Sequence, residues 1–521
     1  VKNTLYRVLS KLERQETIQL LNGNAFKSPD PRTIKGNIFI GTVVGNNAPA
    51  ALTFRHFNEN AGLWGRAGSG KTNLCQLLCL QLVQAGISVR CLDYKIEYRD
   101  LLPHIPNMLV LNPKLDKFNP LQPIGNPAEW LQFLADTLQQ DFNLKPETKF
   151  MWLNYADELY KKYDIYGKGR LYPSIKNMQE FLIEEAGKKT TTAAKRRKIY
   201  TCLEVINSLL ISIGDMLDCS SGYTESALSD YGFVSYEMSN LSSNIQSFIS
   251  KFRLKSLYHK CLSSPERHKL KIVAIIEEAK MLLSQDLHKS STSIDYIKQL
   301  LTQARSSGFG AIITDQNKNQ LADFVINNLS CQICFNLASP REIRSTAYSM
   351  GCNEEQIRQI LYLKIPNAIV SMPGCPPFLV RVPKNPVTRH IEDRELLKIM
   401  QPRLASLQFN PKQEPQREKI QVIEGQKDKD QKQTLHSYLK SLRDFLTQLQ
   451  QSPESNITQL YSSLNLSGRK GDKIKGQLLS IELIEEEIIY TGKRKRPSKR
   501  LKLNEKGERV LQWLEQRVKA D

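Results

Sequence analysis

The sequence predicts an α/β protein whose main sheet is mostly parallel. Two observations lead to this class. Apolar segments of strand length alternate with segments of helical periodicity between residues 56 and about 400, and a glycine-rich loop joins one of these strands directly to a helix. Parallel strands need crossover connections, which are usually helices. We therefore expect helices on both faces of the sheet.

The glycine-rich loop is the segment Gly65-Arg66-Ala67-Gly68-Ser69-Gly70-Lys71-Thr72, which fits the pattern G-x-x-x-x-G-K-[ST]. A short apolar run precedes it, and leucines at helical spacing follow it. Glycines let backbone N–H groups surround a phosphate, and the helix N-terminus adds positive potential. The pattern predicts nucleoside triphosphate binding, with Lys71 at the β- and γ-phosphates and the Thr72 hydroxyl on Mg²⁺.

A second informative segment is the apolar strand Ile272–Ile276, which runs into Glu277, Glu278 and Ala279. Two acids at the end of a buried strand are typical of sites where one acid orients Mg²⁺ and the next polarises an attacking water. The same pattern also fits a buried strand that enters a helix, because carboxylates favour the helix N-terminus. The phosphate loop elsewhere in the chain favours the first interpretation.

Size, charge and cysteine content indicate the number of domains, the kind of partner and the cellular compartment. The chain has 521 residues, which suggests about three domains, and 40% of them are hydrophobic. The formal net charge of +20 indicates a polyanionic partner, more often nucleic acid than an anionic membrane. No apolar run reaches the ~18 residues of a membrane span and no signal peptide is visible, so we expect a cytoplasmic protein without membrane insertion. The ten scattered cysteines suit a reducing compartment.

Composition divides the chain into four segments. We expect an N-terminal helix and small β element in 1–55, the α/β core in 56–400 with a helical insertion at about 125–230, a charged linker in 401–433, and a small domain in 434–521. Within the core, Cys331 and Cys334 have C-x-x-C spacing but lie on a predicted strand without a second pair, so we interpret them as core cysteines.

The ordered set of motifs resembles the HerA/FtsK superfamily of hexameric DNA-pumping ATPases, and within it the HerA branch and the conjugation and type IV secretion ATPases. The motifs that carry the resemblance are Gly65–Thr72, Asp93–Tyr98, Phe118–Leu121, Ile276–Ala279, Ala304–Gly310 with Thr314–Gln316, and Phe378–Pro383. The resemblance implies a RecA-like P-loop ATPase core that uses ATP and Mg²⁺ and assembles as a ring-shaped homo-oligomer, expected to be a hexamer.

The resemblance also implies roles for individual residues. Glu278 becomes the catalytic base, Gln316 the sensor of the γ-phosphate, and Arg305 a contact to nucleotide across a subunit boundary. Arg305 alternatively fits a surface residue that ends a helix. The family usually has Asp before the catalytic Glu, whereas this chain has Glu277, which is one methylene longer and affects how Mg²⁺ is placed.

The C-terminal segment is similar to a winged-helix domain. The predicted recognition helix, Gly468–Leu483, carries Arg469, Lys470, Lys473 and Lys475, and the predicted wing, Gly492–Arg500, carries Lys493, Arg494, Lys495 and Arg496. Clustered Lys and Arg that neutralise phosphates give salt-dependent DNA binding. A solvated charge run, a nuclear-localisation-like patch and a protein-interaction module remain alternatives.

Together these observations favour an ATP-driven DNA translocase or helicase-type motor. Two alternatives stay open: a soluble conjugation- or secretion-type ATPase, and an ATP-switched winged-helix regulator that binds one DNA site. The expected partners are DNA, further copies of the chain, and a separately encoded nuclease or other effector. The basic segment Lys188–Lys198 fits either a pore surface that grips DNA or an exposed loop.

Overall fold

A computed structural model describes residues 25–167, 169, 171–263, 269–285, 295–407, 443–480, 483–491, 496–504, 507–508 and 511. The chain divides into two compact units, Val1–Gln413 and Glu414–Asp521. The predicted N-terminal helix at residues 5–21 lies outside the described residues.

The first unit is built on an 11-stranded sheet. Its strands are β1 (Ile38–Val43), β2 (Pro49–Leu52), β3 (Ala61–Trp64), β4 (Ser88–Asp93), β5 (Met108–Leu111), β6 (Phe233–Glu237), β7 (Ile272–Ile276), β8 (Phe309–Asp315), β9 (Cys331–Cys334), β10 (Asn367–Met372) and β11 (Cys375–Arg381). They lie side by side in the order β2-β1-β11-β10-β9-β3-β8-β7-β4-β6-β5.

Every pair from β9 through β3, β8, β7, β4 and β6 to β5 is parallel, which confirms the predicted fold class. The strands β7 and β8 are buried along their whole length, as expected for a sheet that is covered on both faces. Their continuous apolar runs in the sequence therefore reflect two-sided burial.

The other edge of the sheet is antiparallel. The strands β10 and β11 form a hairpin. In it, β10 pairs with β9 and β11 pairs with β1, and β2 pairs with β1 at the edge of the sheet. The small β element that we expected as a segment separate from the core is thus part of the same sheet. The pairing of Thr42 with Arg381 joins residues that are far apart in the sequence, and no local pattern predicts it.

Helices connect the strands and cover the sheet. Their bounds in the first unit are Phe54–Asn58, Lys71–Gln84, Pro127–Asp141, Pro146–Lys162, Ile175–Gly187, Ala193–Leu217, Ser243–Leu262, Lys280–Leu283, Asp295–Thr302, Ala304–Ser307, Asp323–Asn327, Pro340–Ser349, Glu354–Ile360 and Asp393–Ser406. The last of these continues into the segment that was predicted as linker, because Leu396 and Met400 are buried against the core and hold the helix there.

The segment predicted as a helical insertion, about 125–230, lies largely between β5 and β6 and contains the helices from Pro127 to Leu217. Its longest helix, Ala193–Leu217, is the one described helix that is long and apolar enough to cross a membrane by length and composition alone. Ile199, Cys202 and Ile206 of this helix are buried in the core of the unit, which is also typical of a helix in a globular domain.

The second unit has a small core of its own around Phe445, Leu446, Leu478 and Leu501. Its described elements are a helix at 443–451, the helices Ile457–Ser463 and Gly468–Ser480, and the antiparallel strands β12 (Ile484–Thr491) and β13 (Arg496–Leu503). The winged-helix class stays a prediction.

The predicted wing is shorter than expected. Arg496–Arg500 belong to β13, where Arg496 pairs with Thr491 and Arg500 with Glu487, so only 492–495 separate the two strands. The antiparallel pairing of β12 with β13 thus includes a charged segment that we predicted as a loop. Lys493, Arg494 and Lys495 lie outside the described residues.

Candidate nucleotide-binding site

Four neighbouring strands of the sheet, β3, β8, β7 and β4, carry the predicted site at their carboxyl ends. They are parallel, so the segments that follow them meet at one edge of the sheet. In open α/β sheets this edge is where ligands bind. The segments that follow these strands are the phosphate loop, Gln316, the Glu277–Glu278 pair and Tyr94–Tyr98.

The phosphate loop follows β3, and its helix begins at Lys71 and ends at Gln84. Gly68 and Gly70 have φ angles of +70° and +110°, a conformation that side-chain-bearing residues rarely adopt. A Cβ atom on Gly70 would also lie 3.3 Å from the Phe335 ring. Of the two, Gly70 is a glycine that the motif requires, and its φ angle and the nearby Phe335 ring explain that requirement. The loop leads directly into the N-terminus of the helix that begins at Lys71.

The ammonium group of Lys71 lies over the loop. Its Nζ donates hydrogen bonds to the carbonyl oxygens of Gly65 and, at 3.1 Å, of Arg66. Burial and the nearby charge of Lys95 lower the pKa of Lys71 below its usual value. A cation held at this place beside a helix N-terminus fits a phosphate ligand.

Glu277 is buried at the end of β7, with 5% of its surface exposed. The Tyr98 hydroxyl donates a 2.8 Å hydrogen bond to its Oε1, and burial together with the charge of Asp93 raises the pKa of Glu277 to about 8. Its Oε2 is buried without a hydrogen-bond partner among the described residues. A buried acceptor without a partner is costly unless a cation or water satisfies it, so this carboxylate fits a Mg²⁺ ion or a metal-bound water.

Glu278 has a φ angle of +40°, a strained value for a residue with a side chain. Its Oε1 accepts hydrogen bonds from Lys95 Nζ at 2.5 Å and from Gln316 Nε2 at 3.2 Å. Burial raises the pKa of Glu278, but the hydrogen bond and charge of Lys95 outweigh it and lower the pKa below its usual value. The predicted base is therefore ionised and anchored.

Lys71, Thr72, Glu277, Glu278 and Gln316 all lie at the carboxyl edge of the sheet, and the roles predicted for them stay predictions. The structure also adds three residues for which the sequence predicted no role: Lys95, Glu97 and Tyr98. Glu97 Oε2 accepts the Thr72 hydroxyl at 3.0 Å. The signal that could have found them is a run of charged and aromatic residues directly after a buried strand, at the same sheet edge.

Arg305 is not part of this cluster. It lies in the helix Ala304–Ser307 at the amino end of β8, whereas Gln316 follows the carboxyl end of the same strand. A seven-residue strand spans roughly 20 Å. The Arg305 side chain is 67% exposed, lies 3.4 Å from Glu59 and borders a cavity of about 280 Å³ lined mainly by polar residues of Asn58–Asn60 and Asn327–Ser330.

The predicted DNA contacts of the second unit are only partly described. Arg469, Lys470 and Lys473 belong to the helix Gly468–Ser480 and Arg496 to β13, but their side chains lie outside the described residues. The Lys475 side chain lies 3.4 Å from Glu486 and 3.7 Å from Asp472, so carboxylates already neutralise its charge.

A strand, a phosphate loop and a helix, with acids from the neighbouring parallel strands beside them, define a P-loop α/β protein. The model of the family described as "Helicase HerA, central domain" matches residues 38–333, more than half of the chain, and the chain belongs to this family.

Relatives and solved structures agree with this assignment. The chain is 23% identical over 318 residues to the "DNA double-strand break repair helicase HerA" of Sulfolobus acidocaldarius, which covers 59% of this chain and 61% of that protein. It is 20% identical over 343 residues to the protein of the same name from Saccharolobus solfataricus, covering 64% and 66%. The chain thus spans about three fifths of the length of the curated relatives it matches.

Two solved structures share the fold. VirB4 of Thermoanaerobacter pseudethanolicus superposes with a TM-score of 0.53 at 14% identity, over 67% of this chain and 97% of that one. The plasmid coupling protein TrwB in complex with the non-hydrolysable ATP analogue ADPNP also gives a TM-score of 0.53 at 14% identity, over 71% and 98%. At this identity the likeness concerns the fold.

Proposed function

We propose that this chain is an ATPase that uses Mg²⁺-ATP to move DNA through a ring-shaped homo-oligomer, expected to be a hexamer, in the cytoplasm. The observation that carries the proposal is the split of the site between the two edges of one sheet. The phosphate loop, Glu278 and Gln316 lie at the carboxyl edge, while Arg305 lies exposed at the amino edge.

The residues at the carboxyl edge divide the work of hydrolysis. Lys71 binds the β- and γ-phosphates. Thr72 and Glu277 would hold Mg²⁺, which would supply positive charge beside the transferred phosphoryl group. Glu278 orients the attacking water and accepts its proton. Gln316 contacts the γ-phosphate and, through its hydrogen bond to Glu278, links that contact to the base.

Arg305 contacts the nucleotide that is bound to a neighbouring subunit. A side chain roughly one strand length from its own phosphate loop cannot reach a nucleotide bound there. An arginine inserted from the next subunit stabilises charge on the phosphoryl group in the transition state. Head-to-tail packing of this kind closes into a ring, with one nucleotide at each subunit boundary.

DNA as the cargo is supported by three facts. The net charge is +20, Lys and Arg cluster in the segments predicted as recognition helix and wing, and the curated relatives are named DNA double-strand break repair helicases. A separately encoded nuclease or other effector is a further partner that we infer from the membership in the HerA family.

The experiment is an ATPase assay of the purified chain with and without duplex and single-stranded DNA, with Lys71→Ala as the inactive control. We expect DNA to stimulate hydrolysis, and electron micrographs with ATP and DNA to show rings. ATPase activity that DNA does not change, together with no DNA binding at moderate salt, would overturn the motor. A footprint on one defined DNA sequence, together with a Glu278→Gln variant that retains function, would instead identify an ATP-switched regulator.

A further inference from the structure

We propose that residues Asp93–Tyr98, here called the brace loop, position the hydrolytic groups of the site, and that Lys95 is the positioning residue for Glu278. The inference rests on the proposed ATPase function and assigns roles to Lys95, Glu97 and Tyr98. None of these three residues is required to touch the reacting atoms.

One buried carboxylate sets the shape of the brace loop. Asp93, at the end of β4, is completely buried and accepts hydrogen bonds from the backbone N–H groups of Lys95, Glu97 and Tyr98 at 3.0, 3.2 and 3.1 Å. Between them, Ile96 has a φ angle of +60°, which is an outlier for a β-branched residue. Strain of this kind persists only where the surroundings impose it, and it is concentrated at functional sites.

The three residues whose N–H groups bind Asp93 each contact a different group of the hydrolytic site. Lys95 Nζ lies 2.5 Å from Glu278 Oε1, the Tyr98 hydroxyl donates to Glu277 Oε1 at 2.8 Å, and Glu97 Oε2 accepts from the Thr72 hydroxyl at 3.0 Å. The loop is tied to the phosphate-loop helix as well, because Gln76 Nε2 donates to the Glu97 carbonyl at 2.6 Å. One short loop thus connects the base, the candidate metal carboxylate and the candidate metal hydroxyl.

Lys95 decides which oxygen of Glu278 serves as the base. Lys95 and Gln316 both donate to Oε1, while the one ion pair of Oε2 among the described residues is with Lys280 at 3.8 Å. Oε1 is therefore occupied, and Oε2 is left to accept a proton from water. The Lys95 side chain is 45% exposed, so its ion pair contributes little to folding stability. The pair accordingly serves the geometry of the site more than the stability of the fold.

The test is a double-mutant cycle between Lys95→Met and Glu278→Gln, with Lys95→Arg as the conservative variant. We expect Lys95→Met to lower kcat roughly 10- to 100-fold, the size seen when a supporting partner of a catalytic group is removed, and to change KM and nucleotide Kd by less than about threefold. Lys95→Arg should recover most of the rate. In the Glu278→Gln background, Lys95→Met should cause no further loss, because two residues that act as one unit are not additive.

A second measurement avoids catalysis. Glu97→Gln should weaken Mn²⁺ binding to the nucleotide-loaded chain roughly tenfold by electron paramagnetic resonance titration, since Glu97 orients the Thr72 hydroxyl. Equal rate losses from Lys95→Met in both backgrounds, or a Mn²⁺ affinity that Glu97→Gln leaves unchanged, would overturn the brace. A wild-type chain that hydrolyses no ATP would contradict the proposed function. A wild-type chain that hydrolyses ATP no faster than Lys95→Met would contradict the role of the brace loop alone.

Discussion

Gln316 and Glu278 are joined by a hydrogen bond of 3.2 Å from the Gln316 side-chain amide to Glu278 Oε1. The two residues follow the adjacent parallel strands β8 and β7, so the contact depends on the sheet order and not on closeness in the sequence. If Gln316 contacts the γ-phosphate as we propose, this hydrogen bond makes the position of the proposed base depend on the bound nucleotide. Glu278 is consequently the residue whose replacement should most cleanly separate hydrolysis from binding.

Replacing Glu278 with Gln should lower the ATPase rate by roughly 10²- to 10⁴-fold, because the amide cannot accept a proton from water. Nucleotide affinity, measured with a fluorescent ATP analogue, should stay within a few-fold of wild type. The matched control is Glu355→Gln, an exposed acid on the helix Glu354–Ile360. A Glu278→Gln chain that retains more than a tenth of the rate contradicts the assignment of the base.

Arg305 and Lys71 should complement each other between subunits. Arg305→Ala and Lys71→Ala should each abolish ATPase activity. In an equal mixture of the two variants, about a quarter of the subunit boundaries should be active if the subunits mix at random in a head-to-tail ring. The recovered boundaries pair the intact loop of one variant with the intact arginine of the other. Arg394→Ala, an exposed arginine on the helix Asp393–Ser406, should remain active. No recovery in oligomers that are shown to be mixed excludes Arg305 as a residue acting across the boundary.

The length of Glu277 should matter for the metal. Glu277→Asp withdraws the carboxylate by one methylene and leaves the Tyr98 hydroxyl without its 2.8 Å acceptor. We expect the Mg²⁺ concentration for half-maximal activity to rise roughly tenfold, as for other changes around a metal site. The measurement is an Mg²⁺ titration of the ATPase rate at saturating ATP. An unchanged midpoint means that Glu277 does not set the position of the ion.

Lys318 should give folding stability a specific pH dependence. Burial lowers the pKa of the Lys318 amine to about 8 from the usual 10.5, and its Nζ lies 3.1 Å from Gln332 Oε1. The unfolded chain binds more protons between these values, so the free energy of unfolding should rise with pH from about 8 to about 10.5. Lys318→Met should remove up to roughly 3 kcal/mol of this rise.

Urea unfolding at several pH values in that window measures the effect. Lys384→Met, which replaces an exposed lysine, serves as the control and should keep the wild-type slope. If Lys318→Met also keeps the wild-type slope, Lys318 is not the group responsible.

The basic residues of the predicted wing should contribute to DNA binding through phosphate neutralisation. Replacing Lys493, Arg494 and Lys495 with Ala should weaken binding similarly for unrelated sequences, and should reduce the slope of log K against log salt by about one for each lost contact. The control replaces the exposed Lys384, Arg394 and Lys398 of the first unit. Fluorescence anisotropy at several salt concentrations measures both. If both triple variants weaken DNA binding equally, DNA affinity depends on net charge and not on the predicted wing.

The chain order of motifs was sufficient to predict the fold class, the phosphate loop and the acids Glu277 and Glu278. These features are local: a buried parallel strand is a continuous apolar run, and Gly68 and Gly70 are needed for backbone angles that other residues avoid. The apolar run that ends at Ile276 is likewise a buried strand.

Only the tertiary structure decided which strand ends meet and which side chains touch. The pairing of β1 with β11, the strand status of Arg496–Arg500, the distance of Arg305 from its own loop, and the contacts of Lys95 with Glu278 all depend on sheet order and on pairings between residues far apart in the chain. Hydrophobic period and motif spacing carry no information about such pairings, because they report the surroundings of each residue along one segment. The candidate nucleotide-binding residues could therefore be proposed from the sequence, whereas their contacts with Lys95, Glu97 and Tyr98 could not.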